Sequence, residues 1–174
     1  MDYMIIIKPD GTIEHKPYEG YGDITDTVGG LAENILYRIP ISLPTGTVEL
    51  DFYGNEEALL LSGGDIDKCN GLATFLYNNG AETKDAHPIY GNIAVLKWQV
   101  GEGDDVGFKA RFDKDGELNI SELWHVEDIL LLVRNRNMEL INEYREAYDD
   151  NKPPARMGFM SFNIENIDDY FENR

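Results

Sequence analysis

The chain has 174 residues, 33 of them acidic and 15 basic, for a net charge of −18, and a single cysteine. The length suits one domain that buries about two thirds of its unfolded surface, and the lone Cys69 excludes an internal disulfide framework; with no signal-like opening, a reduced, cytoplasmic setting is expected. The charge argues against direct nucleic-acid or anionic-membrane binding, and the longest late apolar run, 129–133, is far short of the roughly 20 residues of a membrane span.

Met4-Ile5-Ile6-Ile7 is apolar and β-branched, and Lys8-Pro9-Asp10-Gly11 is a turn, so residues 12–16 are expected to return as a second strand. Asp23 or Thr25 can cap a short helix near 23–29, with Ile24, Val28 and Leu31 at helical spacing and Gly29-Gly30 as its stop. Residues 35–39 read as strand and 40–44 as loop. Thr47-Val48-Glu49-Leu50-Asp51-Phe52 alternates as a half-buried strand, expected to pair through Gly54-Asn55 with a strand over 58–61.

Ser62-Gly63-Gly64-Asp65 breaks the chain, and 72–77 is read as helix. Residues 89–100 form the strongest later strand. Val106, Phe108, Ala110 and Phe112 alternate before Asp113-Lys114-Asp115-Gly116 turns the chain into Leu118-Asn119-Ile120, a predicted hairpin. From His125 the period changes. Val126, Ile129, Leu130, Val133, Leu140, Ile141, Tyr144 and Tyr148 form a stripe at 3.6-residue spacing, which predicts one long amphipathic helix over about 125–149, with Asn135-Arg136-Asn137 as the place for a kink. Residues 153–174 are a C-terminal extension with an apolar, aromatic stretch at 157–164 that covers a domain edge or reaches a partner. The expected fold is therefore α+β: a mainly antiparallel sheet of short strands with the long helix packed on it. It is read as a single domain over 1–174, divided into a β-rich 1–100, a hairpin and helix over 101–152, and the extension.

Four segments in order, Val28-Gly29-Gly30-Leu31-Ala32-Glu33, Asn55-Glu56-Glu57-Ala58-Leu59-Leu60-Leu61, Cys69-Asn70-Gly71-Leu72-Ala73 and Ile89-Tyr90-Gly91-Asn92-Ile93-Ala94-Val95, carry a resemblance. Over about residues 4–98 the chain resembles the domain-of-unknown-function family numbered 3846, seen in gut bacteria, their phages and conjugative elements. The resemblance singles out Asn55, Glu56, Asn70, Gly71 and the Tyr90-Gly91 step. It implies an accessory protein of mobile elements, with a counter-defence or DNA-mimic role by association. Asn and Gly at such places also make turns, and Tyr90-Gly91 lets a strand bend.

Catalytic patterns are sparse. Asp65-Ile66-Asp67-Lys68-Cys69-Asn70-Gly71 alternates oxygen donors as a calcium loop does, but has Cys at the fifth position, Asn at the sixth and no bidentate Glu at the twelfth. His15, His87 and His125 lie far apart without ligand spacing, so no metal or other cofactor is expected. Cys69, with Asp65 and His87, is the reserve reading as a hydrolase. Val28-Gly29-Gly30 lacks the Lys-Ser/Thr of a phosphate loop.

The excess charge is even, −9 in residues 1–100 and −9 in 101–174. It serves solubility, or it aims a phosphate-like surface at a basic host protein. The leading expectation is a non-enzymatic interaction module; the alternative is a small-ligand or nucleotide-derivative binder, with Asn55, Glu56, Asn70 and Tyr90 as candidate binding residues.

Overall fold

The computed structural model describes residues 1–80, 88–99, 101 and 103–149, with 147–149 by backbone alone. Two hairpins and a central strand build the sheet. The first hairpin joins β1 (Asp2–Ile7) to β2 (Ile13–Tyr18) through the turn at Lys8 to Gly11, where the Gly11 amide donates to the Lys8 carbonyl at 3.0 Å. The second joins β3 (Ala32–Leu43) to β4 (Gly46–Asn55). Between them β5 (Ile93–Gln99) pairs with β1 on one side and β4 on the other, giving the order β2-β1-β5-β4-β3, antiparallel throughout.

β1 and β5 pair only at 5–7 with 93–95, and then part. The fork between them is filled by β6 (Asp104–Val106), which pairs with β5 at 97–99, and β7 (Phe108–Lys109), which pairs with β1 at Asp2 and Tyr3. Gly107 sits where the segment changes neighbours. A Cβ there would lie 2.6 Å from the Asp2 Cβ and 2.9 Å from the Tyr3 nitrogen, so only glycine lets the two backbones meet this closely.

The alternating residues of each strand give the sheet two different faces. On the front, Ile5, Ile7, Leu50, Phe52, Ile93, Val95 and Phe108 form the main core with α3 (Gly71–Gly80), α4 (Glu122–Arg136) and α5 (Met138–Asp149). On the back, α1 (Tyr21–Val28) sets Ile24 and Val28 against Met4, Ala94 and Leu96. Among the described residues no helix is long and apolar enough to cross a membrane.

The α+β class with a mainly antiparallel sheet is as expected from the sequence, and several details differ. The single helix over 125–149 is two helices, α4 and α5. Their inward stripe, Val126, Ile129, Leu130, Val133, Leu140, Ile141 and Tyr144, is buried, but the inward position between Val133 and Ile141 is Asn137. Its side-chain amide donates to the Val133 carbonyl at 2.8 Å, a local bond that competes with helix continuation and closes α4 there. Pro44 does lie in the turn, but residues 40–43 are strand and not loop, since β3 runs through Pro40 to Leu43. It tolerates proline because it is the edge strand. Residues 58–61 are not a strand but most of the short helix α2 (Ala58–Ser62), started by Asn55, whose Oδ1 accepts from the Glu57 amide at 2.8 Å.

The first helix begins earlier than 23, because the Asp23 carboxylate accepts from the Glu19 and Gly20 amides and folds the preceding turn onto the helix. The strand read over 89–100 starts only at Ile93, with Gly91 at φ 79 breaking it from the Cys69–Tyr90 bridge. Of the hairpin over 106–120, the turn at Asp113 and a single Phe112–Leu118 bridge remain. The apolar, aromatic stretch at 157–164 lies outside the described residues.

Candidate functional site

The four segments that the sequence singles out touch one another in pairs. Asn55 donates its amide to the Val28 carbonyl at 3.2 Å, the Glu56 main-chain amide donates to the Leu31 carbonyl at 2.9 Å, and a Cβ on Gly30 would press within 2.9 Å of the Asn55 amide. Asn70, fully buried, donates to the carbonyls of Ile7 at 2.9 Å and Gly91 at 3.0 Å and accepts from the Ala73 amide at 3.1 Å. Asn92 reaches back to the Thr27 carbonyl at 3.2 Å. These side chains fasten β1, α1, α2, α3 and the Gly91 turn together; the hydrogen bonds of Asn55 and Asn70 are already used.

Beside this lattice lies an open cavity of about 420 Å³ bounded by Glu33, Asn34, Tyr37, Asn55, Glu56 and Tyr90, among others. It brings together three of the four candidate residues and leaves Asn70 out. The Oδ1 of Asn34 is enclosed without a hydrogen-bond partner. On its rim α2 buries none of its residues, and Leu59, Leu60 and Leu61 are 50 %, 79 % and 62 % exposed; Leu31 and Tyr37 are exposed as well. Glu33 and Glu56 line the same cavity as Tyr37 and Leu59, and Glu57 directly precedes α2.

Cys69 is fully buried, its Sγ 3.8 Å from the Thr74 hydroxyl, and burial pushes the thiol above its ordinary range. A protonated, enclosed thiol is a poor nucleophile. Asp65 is spent on the Asp67 amide, and His87 lies outside the described residues.

Two polar constellations were not legible as sites. On the front face His15 Nδ1 meets Glu127 Oε1 at 2.6 Å, beside the rings of Tyr3 and Phe112; burial raises the Glu127 carboxyl, and His15 opposes that shift. On the back face Tyr53 crosses β5 above Ala94 and donates its hydroxyl to Asp105 on β6. Asp105 also meets the carboxyl of Asp51, which is 2 % exposed and accepts from the Arg38 amide at 2.7 Å. Burial is the main cause that lifts Asp105 to about 7; Asp51 pushes the same way and the Tyr53 hydroxyl pulls down. Arg38 stands in the β3 bulge at φ 48, which turns its amide toward Asp51, while its guanidinium lies 4.1 Å over the Trp98 ring.

Comparison with family models, curated proteins and solved structures finds no match for this chain. Among the described residues no three histidine, cysteine, aspartate or glutamate side chains are placed to hold a metal. No sequence signal marked the back-face cluster: the alternation over 47–52 puts Asp51 on the polar face with Thr47 and Glu49, yet it is 2 % exposed.

Proposed function

We propose that the protein is a non-enzymatic interaction module whose α2 edge binds a basic, partly apolar segment of a protein partner. The observation that carries this reading is α2 itself. Three consecutive leucines contribute nothing to the core, although exposing them costs apolar hydration at a place where polar residues would serve the fold equally well. The carboxylates of Glu33, Glu56 and Glu57 around them, on a chain of net charge −18, favour a partner with lysine or arginine beside its apolar side chains. A DNA mimic needs an unbroken ridge of carboxylates, whereas here the acids frame leucines, so the counter-defence form of the reading rests on the family resemblance alone. Leu60→Asp should leave the circular dichroism unchanged and remove a partner that the wild type retains. A partner retained equally by both proteins, at low and at physiological salt, would end this reading.

A small-ligand module is the second reading, supported by the 420 Å³ cavity, whose wall includes Asn34, Asn55, Glu56 and Tyr90. It predicts that Asn34→Leu, and not Leu60→Asp, abolishes binding.

A further inference from the structure

Asp51 and Asp105 bring two carboxyl groups into contact from strands on opposite sides of β5. Neither has an ion-pair partner among the described residues. The Oδ2 of Asp105 accepts from Tyr53 and the Oδ1 of Asp51 from the Arg38 amide, whereas the Oδ1 of Asp105 is enclosed and accepts nothing from a conventional donor. Two ionised carboxylates cannot rest against each other in such a place without a cation; a proton held between them closes the arrangement.

Among the described residues no cation forms an ion pair with either carboxyl that would replace that proton. β4 presents Tyr53 and, level with Trp98 and Asp105, Glu49; β6 presents Asp104, β2 presents Tyr18 and α1 presents Asp23. From β3 comes Arg38, whose guanidinium is stacked on Trp98 of β5. Burial raises Tyr18 first, and Asp104, Asp105 and Asp23 raise it further, as expected in a neighbourhood where negative charge accumulates.

We propose that the Asp51–Asp105 pair is a proton-operated latch: it fastens β6 across β5 to β4 while the pair shares a proton, and lets β6 go when that proton leaves. β6 is a suitable moving part. It is three residues long, pairs with β5 only at 97–99, and fills the fork that β1 and β5 leave open. Among the described residues its side-chain tether across the sheet is Asp105, held by Tyr53 and Asp51. Release at neutral pH follows from the position of Asp105 near 7.

The test is a two-dimensional NMR titration of the full chain from pH 5 to 9. It follows the amides of residues 104–106 and the Trp98 indole, with hydrogen exchange of the β5–β6 amides corrected for intrinsic rate. The wild type should pass through one transition centred near 7, across which protection falls at least about tenfold. Asp105→Asn should abolish the transition and keep β6 protected at pH 9, because its amide donates to Asp51 at every pH. Asp51→Asn carries the same expectation and serves if the first variant does not fold. Tyr53→Phe removes the hydroxyl that favours the ionised form and should move the midpoint upward, which a merely structural role would not do. A wild type without a transition between pH 5 and 9, or a transition that survives both asparagine variants, overturns the latch. So does protection restored at pH 9 by millimolar calcium or magnesium, which would make the pair a cation site.

Discussion

α4 and α2 are both rich in leucine and use it in opposite ways. In α4, Leu123 and Leu130 point into the sheet and are almost wholly enclosed, together with Val126, Ile129 and Val133. In α2, Leu59, Leu60 and Leu61 follow one another, so a helix cannot turn all three inward, and the structure turns none of them fully inward. α4 also holds three leucines in a row, Leu130 to Leu132, and buries Leu130, so the same side chain is a stability residue where its helix face meets the sheet and a surface residue where, as in α2, no face is buried.

The largest expected effect tests that contrast directly. Leu130→Ala should lower unfolding free energy by about 2 to 4 kcal/mol, since it opens a cavity between α4 and the sheet; Leu60→Ala should cost under about 0.5 kcal/mol. Equal shifts of the urea midpoint would erase the distinction between the helices. Next in size, Asn70→Ala leaves the Ile7 and Gly91 carbonyls and the Ala73 amide without their buried partner, and should cost about 2 to 3 kcal/mol. That would place a polar residue level with α4's leucines, and a near-neutral result would confine stability to the apolar stripe.

A smaller effect depends on pH. Asp105 keeps its proton in the fold to about pH 7, while in the unfolded chain it loses it near pH 4. The unfolded state therefore binds fewer protons between those values, and stability falls as pH rises from about 4 to 7, then levels off. Glu127, also raised, contributes with the same sign. Urea midpoints should show the decline in the wild type and a shallower one in Asp105→Asn; an unchanged slope would show that the back face adds nothing to it. The smallest expected change is for Glu56→Gln with Glu57→Gln, which should leave the urea midpoint within the range of ordinary surface substitutions and slow association with a basic partner at low salt.

What the sequence disclosed follows the same division. The first hairpin was legible because Pro9, Asp10 and Gly11 each suit a turn, and the stripe from Val126 to Tyr144 because its period is helical. Three adjacent leucines carry no period, so α2 was misread as strand. The break at Asn137 hid inside an otherwise continuous stripe, and Pro40 suggested a loop because a sequence does not show which strand will be the edge. Of the candidate site, Asn55, Glu56, Asn70 and Tyr90 were named from the sequence, yet that the two asparagines spend their amides on distant segments depends on contacts between remote parts of the chain. Asp51 and Asp105 lie on different strands, and nothing local announces that β4 and β6 will flank the same neighbour.

The place of β5 between the two hairpins has a consequence for how the chain is made. A ribosome releases β1 with β2, and β3 with β4, long before residues 93–99 emerge. Until then the nascent chain has two separate ribbons, each with an open edge that β5 will later occupy, and each able to pair with another molecule instead. Pairing β1 with β5 closes a loop of more than 80 residues, the slow kind of contact in folding. Synthesis that stalls before Ile93 would leave a sticky fragment rather than a smaller folded one.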